Sequence, residues 1–149
     1  LAPDELLKNV ALKLQASIED PEARPLESDR LHITLLHQKA RPEGLSGGKW
    51  KKMLKNLPPY GGSIGLENKV VVLPFGDRKS WLIYVDKPTQ AALDEYIINA
   101  LRGVGLDDPT IMSLREKEAG FLGTRGASPT RKYHISLANL TGEPGDSVA

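Results

Sequence analysis

Two hydrophobic periods alternate along this chain, and the places where one gives way to the other mark its elements. Pro3 to Asn9 reads as one or two amphipathic helical turns, leading into Val10-Ala11-Leu12-Lys13-Leu14-Gln15, which reads as a strand. Ser17–Asp29 holds Pro21, Pro25 and five acidic residues and predicts a loop. Leu31–His37 predicts a strand, Ala40–Gly48 a Pro/Gly loop, and Lys49–Leu57 a basic helix stopped by Pro58-Pro59 and Gly61-Gly62. Ser63–Glu67 is a weak strand, and Val70–Phe75 a strong, largely buried one. Gly76–Lys79 is a hairpin turn, with Ser80–Val85 as its return strand. The clearest helix is Thr89–Arg102, with apolar residues at Ala92, Leu93, Tyr96, Ile97, Ala100 and Leu101 and Gly103 as its stop. Asp107–Lys117 reads equally as a short helix or an irregular segment. Gly120–Pro129, with three glycines, predicts a mobile loop before a final strand over Lys132–Leu137, and the tail after Leu140 is expected to fray. Strands joined by short turns favour an antiparallel α+β fold over a doubly wound parallel sheet.

Within that pattern one stretch occurs twice. Arg30-Leu31-His32-Ile33-Thr34-Leu35 and Lys132-Tyr133-His134-Ile135-Ser136-Leu137 both read basic, apolar or aromatic, His, Ile, hydroxyl, Leu. Side chains of a strand alternate between faces. Arg30, His32 and Thr34 therefore share one face, as do Lys132, His134 and Ser136, while the apolar partners turn to a core. Ser and Thr make up fifteen of the 149 residues, so two of three histidines followed by a hydroxyl two places on would arise by chance roughly 3% of the time. The competing reading, two ordinary histidines on a solvated strand face, must also absorb the shared Ile, Leu and basic positions. His37 falls on the opposite face by parity and reads as a packing or strand-end residue.

Composition narrows the possibilities. A chain of 149 residues fits one domain or two tightly packed lobes, and net charge +1 supplies no overall field toward nucleic acid. With no cysteine there are no disulfides or thiolate metal sites, and no two histidines have the spacing of a compact metal-ligand pair. No cofactor is implied. No apolar run approaches a membrane span and no signal-peptide pattern opens the chain, so a cytoplasmic monomer is the default expectation. The first residue is Leu, which suggests a domain cut from a longer protein.

Two histidines flanking one phosphate can divide acid-base work: a neutral imidazole takes the attacking oxygen's proton, and its protonated partner gives one to the leaving oxygen. Thr34 and Ser136 can donate to the non-bridging oxygens, with Arg30 and Lys132 at the rim. This double H-x-[ST]-hydrophobic pattern resembles the 2H phosphoesterase superfamily, with Thr34 and Ser136 at the hydroxyl positions and Leu35 and Leu137 at the hydrophobic ones. The resemblance implies two pseudo-symmetric lobes around a central cleft, with antiparallel sheets and flanking helices. It implies a metal-independent phosphodiesterase acting on a 2′,3′-cyclic phosphate or an RNA-end phosphodiester, as in RNA repair or processing. Many members carry a lobe helix where this chain has the Pro-containing Ser17–Asp29 segment. The first motif followed by a Trp-containing basic helix also resembles the cyclic phosphodiesterase module of fungal and plant tRNA ligases.

Other readings compete. The same chemistry would serve a cyclic or 2′-5′-linked oligonucleotide signal, as in anti-defence enzymes, and an idle RNA-binding module would need none of it. Arg125, in the glycine-rich loop, is expected to approach the substrate. Lys49-Trp50-Lys51-Lys52-Met53-Leu54-Lys55 reads either as an RNA grip with Trp50 stacked on a base, or as a solvated face with Trp50, Met53 and Leu54 packed inward. Gly47-Gly48-Lys49 precedes Trp rather than Ser or Thr and is no phosphate loop. Trp81 and Tyr84 fall on opposite faces of their strand, so at most one lines the cleft.

Overall fold

A computed structural model of the chain describes residues 3–36, 41–121 and 132–148. The fold is α+β, and its residues form two compact units, Leu1–Thr34, Ile64–Thr89 and Tyr133–Ala149 in the first and Leu35–Ser63 and Gln90–Lys132 in the second. Both motif histidines lie in the first unit.

The first unit is built on an antiparallel sheet ordered β1-β4-β3-β2, with β1 at Arg24–Pro25, β2 at Val71–Phe75, β3 at Arg78–Tyr84 and β4 at His134–Asn139. Gly76, at φ +61°, opens the two-residue turn between β2 and β3. Glycine at the first central position suits the twist of a hairpin. β2 is an edge strand with Val72 46% and Phe75 56% exposed, so the expectation of a largely buried strand fails. Its apolar run reflects β propensity without a second layer to cover it.

Helix α1, Glu5–Ala16, replaces the strand expected over Val10–Gln15. Leu7, Ala11 and Leu14 recur at helical spacing, the first two buried, and the Asp4 side chain accepts from the Leu7 N–H at 2.8 Å as N-cap. The short run Val10 to Gln15 carried both periods, and the cap decided between them. The tail docks rather than frays. Asn139, fully buried at the end of β4, donates to the Glu143 carbonyl and the Ser147 hydroxyl and accepts from the Thr141 and Gly142 N–H groups. Beyond it Val148 is buried and its N–H donates to Ser80 Oγ at 2.7 Å.

The second unit is helical: α2 at Gly47–Lys55, the greater part of α3 at Lys87–Gly103, and α4 at Asp108–Phe121. Trp50, Ile97, Leu101, Ile111 and Leu114 form its core, with Met53 and Leu54 packed against them. The stacking role for Trp50 is thereby ruled out; the ring is 4% exposed, and its Nε1 has no hydrogen-bond partner among the described residues. Arg115 pairs with Asp94 at 3.1 Å with both side chains largely buried, fastening α4 to α3. Hydrogen bonding from the Thr110 side chain, and then from the Thr110 N–H, holds the Asp107 carboxyl below its usual pKa, and the N–H bond caps α4. That helix runs through Gly120 and Phe121, the first two residues of the expected loop; 122–129 lie outside the described residues. Among the described residues no helix is long and apolar enough to cross a membrane.

Candidate functional site

The two copies of the motif meet along β4. Ile33 forms an isolated antiparallel bridge with Ile135, and both are fully buried. In antiparallel register the residues flanking such a pair stand opposite one another on the other face. His32 thus faces Ser136, and Thr34 faces His134. Burial follows the same alternation: Leu31, Ile33, Tyr133, Ile135 and Leu137 are buried, while Thr34, His134 and Ser136 are half-buried and His32 is exposed. The parity argument from sequence therefore holds for all four residues. The two histidines are diagonal neighbours across the pair, a relation that separates side-chain origins by roughly 7–8 Å.

The first copy is nevertheless not a regular strand. Chain 24–26 follows β4, with Arg24 opposite Asn139 and the Leu26 N–H donating to the Leu137 carbonyl at 2.9 Å. It then leaves through a 3₁₀ turn, Ser28–Arg30, and returns only for the Ile33 bridge. Arg30 lies in that turn, so strand parity does not govern its side chain, contrary to expectation. Its backbone does contribute. The His32 Nδ1 lies 2.8 Å from the Arg30 carbonyl oxygen. A carbonyl only accepts, so Nδ1 carries the proton and Nε2 is left to exchange one with a ligand. Lys132 is exposed and ends the second unit. Arg125 and His37 lie outside the described residues.

Three residues that the motif search missed complete the neighbourhood. Gln15, on α1, donates from Nε2 to both the Leu26 carbonyl at 2.9 Å and the Leu137 carbonyl at 2.8 Å. This side chain bridges the place where the strand pairing breaks off. Tyr84, opposite His134 in the β3–β4 register, meets its ring edge-on with centroids 6.1 Å apart at 81°. Burial, and then the charge of Glu67, pushes the Tyr84 phenol above its ordinary pKa. Tyr84 is thus the aromatic that shares the histidine face. Trp81 is buried and lies under the Lys79 ammonium at 5.1 Å from the ring centroid. Only Tyr84 carried a sequence signal, its parity. Gln15 and Glu67 act across distances no local pattern encodes.

One face of a two-segment ladder thus carries two imidazoles and two hydroxyls, with an aromatic ring beside one imidazole. That set can bind an anion with up to four donors and move protons at neutral pH. No protein-family model matches the chain, and no match is found among curated proteins or solved structures.

Proposed function

We propose that this protein is a phosphodiesterase that opens a 2′,3′-cyclic phosphate or cleaves an RNA-end phosphodiester with His32 and His134 as its acid-base pair. The observation that carries the reading is the Ile33–Ile135 bridge, whose register supports His32, Thr34, His134 and Ser136 sharing one face. On a cyclic phosphate, one neutral imidazole takes a proton from water as its oxygen bonds to phosphorus. The bond from phosphorus to one ribose oxygen breaks, and the protonated partner gives that oxygen its proton. One water is consumed and a phosphomonoester remains. The Arg30 carbonyl holds the His32 ring with Nε2 available, and Tyr84 acts as a positioning residue for the His134 ring. Thr34 and Ser136 donate to the non-bridging oxygens as negative charge accumulates there. The two-lobed pseudo-symmetric cleft implied by the resemblance belongs to this proposal, although the acid-base pair itself needs only the first unit.

The test is hydrolysis of 2′,3′-cyclic nucleotides and cyclic-phosphate RNA by the purified protein in EDTA. Turnover that persists on chelation is expected, because side chains supply every role. Loss restored by a divalent cation would replace the acid-base pair with a metal-activated water. No turnover of any phosphodiester would remove the reading.

A further inference from the structure

The charge of the chain is divided between its units. The first unit, which carries both histidines, holds eight Lys and Arg against twelve Asp and Glu, net −4; the second holds twelve against seven, net +5. A near-neutral total hides a basic helical unit. Its sharpest feature is α2, where Lys49, Lys51, Lys52 and Lys55 are all exposed and no acidic residue interrupts them. At 3.6 residues per turn the four lie within one arc of about 160°, and none makes an ion pair among the described residues. Trp50, Met53 and Leu54 fill the opposite side of the helix and pack into the core. Beside the stripe a surface cavity of about 350 Å³ is lined by Lys49, Lys52, Met53, Asn56, Gly103 and Val104. Two ammonium groups, an amide and an apolar floor suit a nucleotide, with its phosphate on the lysines and its base against Met53 and Val104.

We propose that α2 and this cavity form a sequence-independent docking face for the backbone of single-stranded RNA. The substrate class it implies, a phosphodiester at an RNA end rather than a free nucleotide, rests on the phosphodiesterase reading above. Lysines act as point charges on phosphate and read no base edges. A membrane surface fits worse, because an interfacial helix must offer an apolar face to lipid and the apolar face of α2 is already buried.

The test titrates a labelled 12-nucleotide RNA bearing plain hydroxyl ends between 50 and 200 mM salt. Four phosphate contacts on a single strand, at a slope of about −0.7 each, weaken binding about 50-fold over that range. The variant K49Q/K51Q/K52Q/K55Q should bind at least ~10-fold more weakly at the low salt and lose most of the slope. Glutamine keeps the helix propensity of lysine, so α2 should remain folded, and a far-UV circular dichroism spectrum checks this. Hydrolysis of a 2′,3′-cyclic mononucleotide should be unchanged in the variant. Salt-insensitive RNA binding, a quadruple variant that binds like the parent, or tighter capture by phosphatidylserine vesicles than by RNA would each overturn the docking face. Expected RNA titrations with no turnover of any phosphodiester, cyclic mononucleotide or cyclic-phosphate RNA alike, would leave the docking face standing and remove the phosphodiesterase reading instead.

Discussion

The two copies of the motif read almost alike and are built differently. The second is a strand with hydrogen-bonded neighbours on both sides: β3 along most of its length, and residues 24–26 and Ile33 on the other edge. The first touches the sheet through one bridge, and six residues, 27–32, span what Ser136 alone spans opposite. A ladder orients His134 through backbone pairing. His32 is oriented by a local turn, by its own Nδ1 bond to the Arg30 carbonyl, and by Gln15 filling the gap in the pairing. Equivalent side-chain chemistry therefore stands on unequal backbones, the second copy cooperative with the sheet and the first held by a few separate contacts.

The sharpest break of this comparison is kinetic. His32→Ala and His134→Ala should each lower kcat/KM on a cyclic phosphate by ~10²–10⁴ or more, and the double variant by much less than the product. Equal losses would mean that function has equalised what folding left unequal, whereas a fully active single variant would dissolve the pair. Thr34→Ala and Ser136→Ala should be milder, about 10- to 150-fold for a hydrogen bond worth roughly 1.5–3 kcal/mol. In double-mutant cycles His134 should couple more strongly to Thr34, which stands opposite it, than to Ser136.

Stability should separate the copies on the buried face. Ile135→Ala and Ile33→Ala each remove a fully buried side chain, at a cost of about 2–5 kcal/mol. The residue with neighbours on both sides should fall at the upper end and the singly bridged one lower, read as shifted midpoints in urea. The reverse order would show that the bridge, not the ladder, anchors the sheet. Gln15→Ala should cost about 1–3 kcal/mol, since it strips a donor from two carbonyls. Gln15→Glu should not rescue it, because a carboxylate cannot donate; rescue would exclude the clamp.

The smallest effect concerns the second copy alone. The folded state holds the Tyr84 proton more tightly than the unfolded chain does. As pH climbs past about 10, the unfolded chain releases its proton first, so stability should fall there. Tyr84→Phe should blunt that alkaline decline while barely changing stability near neutrality. An unchanged alkaline limb would place the titration elsewhere, with Tyr96, also raised by burial, the next group to test.

Much of the fold was legible in short-range pattern. The helix Thr89–Arg102 appears as Lys87–Gly103, because its apolar stripe spans several turns and the Asp86 side chain caps it through the Thr89 N–H. The Val70–Phe75 and Ser80–Val85 hairpin appears within a residue or two, because its turn chemistry is local. The shared face of His32, Thr34, His134 and Ser136 follows from a period of two that any extended backbone obeys. What sequence could not decide depends on partners far away along the chain. Six residues around Val10 satisfy a helix or a strand until a cap and a core select one. A strong apolar run such as Val71–Phe75 becomes an exposed edge when no layer forms above it. Neither the bridge that brings residue 33 to residue 135 nor the amide of Gln15 that closes the gap beside it is written in any local spacing. Those contacts exist only once the chain has closed loops of about a hundred residues, and that closure is a property of the whole sheet rather than of either motif.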